Sequence, residues 1–276
     1  MWWWLALALL LIRRRRARVS DTEAPWKTAL VLNMDRQPHK WARTRENAMR
    51  AGLTDVRRVA GVDGLQLPPV EELVRRGTLS RSHRTPSGAS SASKGWIGNY
   101  LGIRRMMEEM ADHEVGLMME DDVFFARRFQ RRVGDLMQAV PEDWDLVYLG
   151  MSTYAYDLYR GPLRPYVQLV ATLPCGRRVY RFVNLSDPTF LKHGFIGGNF
   201  GVMLRGHVAR LWLDGATPIE VASDTRLTQI IARRNLATYF VYPPLISYYR
   251  YESEIDATVD PEADPSATAD VAEYDV

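Results

Sequence analysis

Short apolar runs alternate along this chain with stretches in which apolar residues recur at helical spacing. The runs have the length of buried strands and lie at residues 26–34, 56–62, 116–119, 144–150 and 238–242. The helical spacing is found at residues 38–52, 67–77, 96–113, 129–140, 208–213 and 223–235. Strands that alternate with helices form βαβ units, so the pattern predicts an α/β fold with a mostly parallel central sheet.

Three segments depart from this pattern. Residues 80–94 are rich in Ser, Arg, Gly and Pro, which predicts a surface loop that either closes over a ligand or has no role. Residues 151–188 have weak periodicity, with a hairpin predicted at 168–183. Glycines at 197, 198 and 201 indicate either a close approach of the backbone to a ligand or an ordinary tight turn.

Composition and charge narrow the class of protein. The chain has 276 residues, 46% apolar, and a single cysteine, Cys175, which excludes an internal disulfide and a cysteine metal site. The net charge is +3, but residues 251–276 hold nine acidic residues and no Lys or Arg, so the rest of the chain carries +12. A basic body favours anionic partners such as nucleotide phosphates or a membrane surface, or simply increases solubility. Zinc spacing, basic heptads and an aromatic RNA-binding signature are missing, so nucleic acid is not an expected partner.

The first 18 residues combine an apolar run with a basic one. Residues 1–12 are apolar, with three tryptophans directly after Met1, and five arginines follow by residue 18. Twelve helical residues are too short to span a bilayer, and no cleavable signal is evident. We expect residues 1–25 to touch a membrane surface with the body on the cytoplasmic side, a Golgi or ER lumen being the alternative. Residues 26–250 then form the folded domain, and 251–276 an acidic, disordered tail.

Three consecutive carboxylates follow the apolar run at residues 116–119: Glu120, Asp121 and Asp122. Burying unpaired charge is costly, so a cation at the exit of the strand is the economical solution. Alternation along a strand directs Glu120 and Asp122 to one face and Asp121 to the other. Two oxygen donors on one face suit Mg²⁺ or Mn²⁺. The alternative is an ordinary solvated turn.

Six short segments occur in a fixed order along the chain. They are 31–36 (Val-Leu-Asn-Met-Asp-Arg), 58–64 (Arg-Val-Ala-Gly-Val-Asp-Gly), 95–101 (Gly-Trp-Ile-Gly-Asn-Tyr-Leu), 117–123 (Leu-Met-Met-Glu-Asp-Asp-Val), 218–220 (Pro-Ile-Glu) and 242–245 (Tyr-Pro-Pro-Leu). With them, residues 28–255 resemble the family 25 glycosyltransferases, which include lipopolysaccharide-modifying enzymes and collagen galactosyltransferases. The chain departs from the family's pattern at Gly102 and Ile103, where Ser-His is usual, at Trp96, where an acidic residue is usual, and at Glu220, where Asp is usual.

The resemblance implies a GT-A-like sandwich that binds a nucleotide-diphosphate sugar, most simply a UDP-sugar, with Mn²⁺ or Mg²⁺. It implies transfer of a hexose, galactose or glucose, to a glycan or protein hydroxyl with inversion, while the departures leave an inactive nucleotide-sugar-binding module as the alternative. The residues implicated are Glu120 and Asp122 for the metal, Asn33, Asp35, Arg36, Asp63 and Asp121 for the donor, and Asp224 or Glu220 as general base. Asp224 could equally cap a helix. His193 and His207 are weaker candidates for a third metal ligand.

Overall fold

The computed structural model describes residues 24–83, 94–249 and 274–275. The predicted membrane-touching residues 1–18, residues 84–93 of the predicted loop and most of the acidic tail lie outside this part of the chain. Within the described ranges, no helix is both long enough and apolar enough to cross a bilayer.

Eleven strands are present in the described residues: β1 Thr28–Asn33, β2 Val56–Ala60, β3 Val115–Glu120, β4 Val123–Ala126, β5 Leu146–Gly150, β6 Val167–Thr172, β7 Arg178–Phe182, β8 Gly201–Arg205, β9 Thr238–Tyr242, β10 Ile246–Tyr248 and β11 Tyr274–Asp275. Eight of them form one sheet in the order β2-β1-β3-β8-β5-β9-β7-β6, and β10-β4-β11 form a second. From the pairings, β8 and β7 run against the other six strands of the large sheet, which confirms the prediction of an α/β fold with a mostly parallel sheet.

The helices of the described residues are α1 Pro38–Arg50, α2 Val70–Arg75, α3 Lys94–Met110, α4 Phe129–Ala139, α5 Thr153–Arg160, α6 Pro188–His193, α7 Gly206–Leu213 and α8 Ser223–Arg234. Single 3₁₀ turns occur at Gly64–Gln66 and Arg164–Tyr166. Helix α1 begins at Pro38, whose fixed backbone angle suits a first helical turn, as the sequence predicts.

The core lies on both faces of the large sheet. In β1, Leu30 and Leu32 pack with α3, α7 and α8, whereas Val31 packs on the other face with α4 and the small sheet. Alternation along a strand requires this division, and burial on both faces explains why the strands are continuous apolar runs. The sheet is therefore the middle layer of three, and its carboxyl edge is left open for a site.

Two expectations about the strands are corrected. The strand that carries the carboxylates ends at Glu120, and Asp121 and Asp122 form a turn into β4. Alternation along a strand therefore does not apply to Asp121, which lines the same cleft as Glu120 and Asp122. The stretch at 151–188, whose periodicity is weak, contains α5 as well as the predicted hairpin, which is β6 and β7, and α6 begins at its last residue.

Candidate active site

A cleft of about 440 Å³ lies at the carboxyl ends of β1 and β3. Its walls come from the loop after β1, the loop after β2 and the first turns of α3, and they include Glu120, Asp121 and Asp122. A larger cleft of about 640 Å³ lies at the amino ends of the same strands and contains none of the predicted site residues. Ligands of open α/β sheets bind at the carboxyl ends, and the clustered acids are there, so the smaller cleft is the candidate site.

Helix α1 fixes the acidic turn through a stripe of polar side chains. Thr44 Oγ1 donates a hydrogen bond of 2.6 Å to the carbonyl of Asp121, and Asn47 Nδ2 donates one of 3.4 Å to the carbonyl of Val123. Lys40, one turn before Thr44, is buried and lines the cleft. These polar residues recur at i, i+4 and i+7, so they share one face of the helix. Sequence reasoning missed this face, although its polar helical period was visible.

Asn33, the last residue of β1, orients Asp121. Its Nδ2 donates hydrogen bonds of 2.6 Å to Asp121 Oδ2 and of 2.9 Å to the carbonyl of Gln37. Its Oδ1 accepts a hydrogen bond of 2.7 Å from Arg58 Nε. The amide is buried and its donor and acceptor are both engaged, so it holds the carboxylate in one orientation.

Glu120 is the most strongly perturbed acid of the cleft. Burial and, to a smaller extent, the charges of Asp122, Asp121 and Asp224 together raise its pKa to about 8, against a hydrogen bond from Asn99 that lowers it. The side chain retains some contact with solvent, so the cleft reaches it. Three other acids thus lie close enough to Glu120 to disfavour its ionised form.

Asp121 and Asp224 are perturbed in the same direction. Desolvation raises the pKa of Asp121, while its hydrogen bond from Asn33 and the charge of Lys40 lower it. Desolvation also raises the pKa of Asp224, against backbone hydrogen bonds from Thr225 and Gly198. All these acids would gain from a nearby cation.

Asp224 lies in the first turn of α8 and not at its N-cap, which is Ala222. The alternative in which Asp224 itself caps the helix is therefore wrong. Its Oδ1 accepts a hydrogen bond of 2.7 Å from the Thr225 amide, and its Oδ2 accepts one of 3.4 Å from the Gly198 amide. Gly198 has a φ of +87°, a left-handed conformation that favours glycine, so the glycine-rich segment delivers an amide to this carboxylate.

The donor set fits a divalent cation in charge and in ligand type. Carboxylate oxygens are the ligands of Mg²⁺ and Mn²⁺, and a cation beside Glu120 and Asp122 would relieve the repulsion that raises the pKa of Glu120. Within the described ranges, no group of three or more His, Cys, Asp or Glu residues has the arrangement of a complete protein-only metal site. Mg²⁺ is commonly bound by one or two carboxylates, and substrate phosphates and water complete its coordination shell. The two carboxylates of Glu120 and Asp122 would suit that arrangement.

Cationic side chains also line the cleft. Arg36 lies 3.4 Å from the carboxylate of Asp63, and both residues line the cleft with Lys40. Asp63 Oδ1 also accepts a hydrogen bond of 3.0 Å from the Leu65 amide, which caps the 3₁₀ turn. Carboxylates and cationic side chains in one cleft suit an anionic ligand that binds together with a metal cation.

Some of the predicted site residues lie outside this cleft. The Asp35 side chain is 79% exposed and pairs with Arg58 at 2.5 Å. Glu220 is exposed in the loop before α8 and lies outside the cleft lining. His207 Nε2 lies 2.8 Å from Asp145, and the side chain of His193 lies outside the described part of the chain.

Three of the four positions that depart from the family's pattern lie in the core, and the fourth, Glu220, is exposed outside the cleft. Gly102 and Ile103 are buried in α3, and a Cβ on Gly102 would lie 2.8 Å from Leu32 Cδ1. Trp96 is also part of the core. None of these residues lines the cleft, whereas Gly95, Gly98 and Asn99 of the same helix do.

Comparison with known proteins relates part of this chain to glycosyltransferases. No family model matches the chain. Over 101 residues it is 30% identical to procollagen galactosyltransferase 2 of Mus musculus and 29% identical to that of Homo sapiens, covering 35% of this chain and 16% of each relative. Over 97 residues it is 30% identical to procollagen galactosyltransferase 1 of Danio rerio, covering 33% of this chain and 16% of that relative. The chain thus matches about a sixth of the length of these relatives.

Among solved structures, the apo form of mouse xyloside xylosyltransferase 1 overlaps with 76% of this chain and 83% of its own chain, at a TM-score of 0.32 and 8% identity.

Proposed function

We propose that this protein is a metal-assisted glycosyltransferase that moves a hexose, galactose or glucose, from a nucleotide-diphosphate sugar to a hydroxyl of a glycan or protein. The observation that carries the proposal is the convergence of Glu120, Asp121 and Asp122 with Arg36 and Lys40 in one cleft at the carboxyl edge of the sheet. The local similarity to procollagen galactosyltransferases supports the same chemistry.

The diphosphate leaving group explains why acids and cations occur together. As the glycosidic bond breaks, negative charge grows on the diphosphate, and it must be neutralised in place. A divalent cation held by Glu120 and Asp122 would supply most of that neutralisation when bound. Arg36 and Lys40 contribute positive charge from the wall, and Asp121, fixed by Asn33, is positioned to accept hydrogen bonds from the donor sugar.

Asp224 is the preferred general base, and Glu220 the second candidate. An inverting transfer needs one base that accepts the proton of the acceptor hydroxyl. Neither residue lines the cleft, but the Asp224 carboxylate is close enough to Glu120 to raise its pKa, so it lies beside the acidic floor, whereas Glu220 is exposed. A raised pKa makes Asp224 a stronger base than a solvated aspartate.

The test measures donor binding and turnover separately. The thermal midpoint of the protein is measured with UDP-galactose and UDP-glucose, each with and without Mn²⁺, since a ligand of the folded state raises apparent stability by mass action. We expect the thermal midpoint to rise only when the donor and Mn²⁺ are both present. In the turnover measurement, we expect UDP release when an acceptor is added. Binding without UDP release would support the inactive binding module, and no shift with any nucleotide sugar would contradict both.

We also propose that residues 1–18 attach the protein to the cytoplasmic face of a membrane. The apolar run followed by arginines supports it. Deleting residues 1–18 should abolish sedimentation with vesicles containing phosphatidylserine and leave donor binding unchanged. A truncated protein that still sediments would contradict the assignment.

A further inference from the structure

A further cleft, of about 270 Å³, lies over β7 and β9 toward the β6 edge of the sheet and is lined by aromatic rings and arginines. The lining residues are Tyr156, Tyr159, Arg160, Arg164, Val167, Arg178, Tyr180, Phe240 and Tyr242. No carboxylate is among them. We call it the aromatic–arginine cleft, and the candidate active site has no part in it.

Strand register explains why these side chains share one face. Arg178 of β7 is paired with Tyr242 of β9, and Tyr180 with Phe240, so each pair projects on the same side of the sheet. Tyr180 and Phe240 stack with their ring centroids 5.0 Å apart. Arg178 alternates along β7 with Val179, which is buried on the other face.

Helix α5 covers this face and contributes the other wall. Tyr156 and Arg160 are one turn apart, so both project toward the strands. The Tyr156 ring lies 5.0 Å from that of Tyr242, and Arg160 Nη1 donates a hydrogen bond of 3.2 Å to the Tyr242 hydroxyl. Arg164, just after the helix, donates a hydrogen bond of 2.9 Å to the carbonyl of Val167.

Among the described residues, the three arginines of the cleft have no acidic partner. Arg160, Arg164 and Arg178 form no salt bridge there, although other surface arginines such as Arg50, Arg75 and Arg104 do. Like charges that converge without a counter-charge favour binding of an anion. The aromatic floor adds flat apolar surface, which complements a ring-shaped ligand that also offers C–H groups.

We propose that the aromatic–arginine cleft binds an anionic saccharide, a segment of the acceptor glycan that carries carboxylate or phosphate groups. The identification of this ligand as an acceptor rests on the proposed glycosyltransferase function. The carboxyl end of β9 lies three strands from β3 along the same edge of the sheet. At about 4.8 Å per strand that is about 14 Å, so one extended glycan can contact both clefts.

The test is calorimetric titration of the full chain with tetragalacturonate and with its methyl ester, which keeps the rings but removes the charge. The acid should bind the unmodified protein, and the ester should bind about tenfold or more weakly, because charge-assisted hydrogen bonds to arginine are lost. The triple variant Arg160→Gln, Arg164→Gln, Arg178→Gln should lose the same factor for the acid. Arg233→Gln, an exposed arginine on α8, is the matched charge control and should bind like the unmodified protein.

A second variant tests the aromatic part. Tyr180→Leu should weaken tetragalacturonate binding without changing the response to inorganic phosphate. Equal binding of acid and ester, no binding of either, or binding of phosphate alone as tight as the saccharide would overturn the proposal. So would tighter, equally arginine-dependent binding of single-stranded RNA. UDP-galactose with Mn²⁺ is titrated on the same sample. Failure of UDP-galactose to bind would contradict the proposed function, and saccharide binding would then stand as a separate result.

Discussion

The two clefts begin at the same edge of one sheet, yet their charges are opposite. The first, at β1 and β3, gathers Glu120, Asp121 and Asp122 on its floor and has Arg36 and Lys40 on its wall. The aromatic–arginine cleft has three arginines, four tyrosines and no acid. A cleft in which neighbouring acids disfavour the ionised form of Glu120 can bind an anionic ligand only with a cation, whereas a cleft whose arginines have no acidic partner among the described residues can bind an anion directly.

The largest effect is expected when charge is removed from the acidic floor, which tests the contrast between the two clefts most directly. Glu120→Gln or Asp122→Asn should reduce transfer by about 10³-fold or more, because the leaving diphosphate loses its neutralisation. The fold should persist, since each change removes repulsion and keeps the side-chain volume. Initial rates at limiting Mn²⁺ measure the effect, together with circular dichroism.

The arginine triple variant is the control for that experiment. Its changes are distant from the acidic floor, so its kcat should stay near that of the unmodified protein while its KM for an anionic acceptor rises. Full activity in both single acid variants would remove the metal assignment. A triple variant as inactive as the acid variants would show that the two clefts do not act separately.

The sequence predicted the elements better than it predicted the site. Strands buried on both faces and helices with one apolar face have strong periodic signals, so β1, α1, β5 and β9 lie where the pattern indicates them. Helix α5 was missed because Tyr156, Tyr159 and Arg160 face the aromatic–arginine cleft, and such residues have no clear apolar period. Short strands such as β4 and β10 are stabilised by pairing with each other, which one segment alone does not reveal.

The local sequence pattern could not predict which side chains of the site contact one another across the sheet. Asn33, Asp121 and Arg58 are far apart in the chain and meet because β1 lies between β2 and β3. Asn99 contacts Glu120 only because α3 crosses the carboxyl edge. The acids at the end of β3 were predictable, since a carboxylate run after an apolar strand is itself a local signal.

The second prediction is a pH dependence that belongs to the acidic cleft alone. The pKa of Glu120 is about 8 in the folded protein against an ordinary value of 4.5. A raised carboxyl pKa means that the folded state binds a proton that the unfolded state has released. Without metal, the contribution of Glu120 to stability should therefore be fully present below about pH 4.5 and should be lost as the pH rises through about 8.

Chemical unfolding in EDTA between about pH 5 and about pH 9 measures this slope. Glu120→Gln should flatten it, and the arginine triple variant should retain it. If the unmodified protein and Glu120→Gln give parallel curves, the raised pKa of Glu120 is not what sets the pH dependence.

A smaller effect is expected for the two glycines of α3 that line the acidic cleft. A Cβ on Gly98 would lie 2.4 Å from the carbonyl oxygen of Val62, which is backbone and cannot move aside easily. Gly98→Ala should therefore reduce the free energy of unfolding by about 1–3 kcal/mol and weaken donor binding. Gly95→Ala is a matched control in the same helix and cleft, with no atom within 4 Å of the added methyl. It should be neutral or slightly stabilising, and equal losses in the two variants would contradict the close approach.

The smallest effect is expected at the Asp35–Arg58 ion pair, whose two residues should respond differently to substitution. Asp35 is 79% exposed, and an exposed pair contributes little, so Asp35→Asn should change the free energy of unfolding by less than about 0.5 kcal/mol and leave donor binding intact. Arg58 also donates to the Asn33 side chain at 2.7 Å and to its carbonyl at 3.1 Å, and Asn33 in turn orients Asp121. Arg58→Gln should therefore weaken donor binding although Asp35→Asn does not. Calorimetric titration of UDP-galactose with Mn²⁺ compares them, and equal losses in both variants would place Asp35 in the donor site after all.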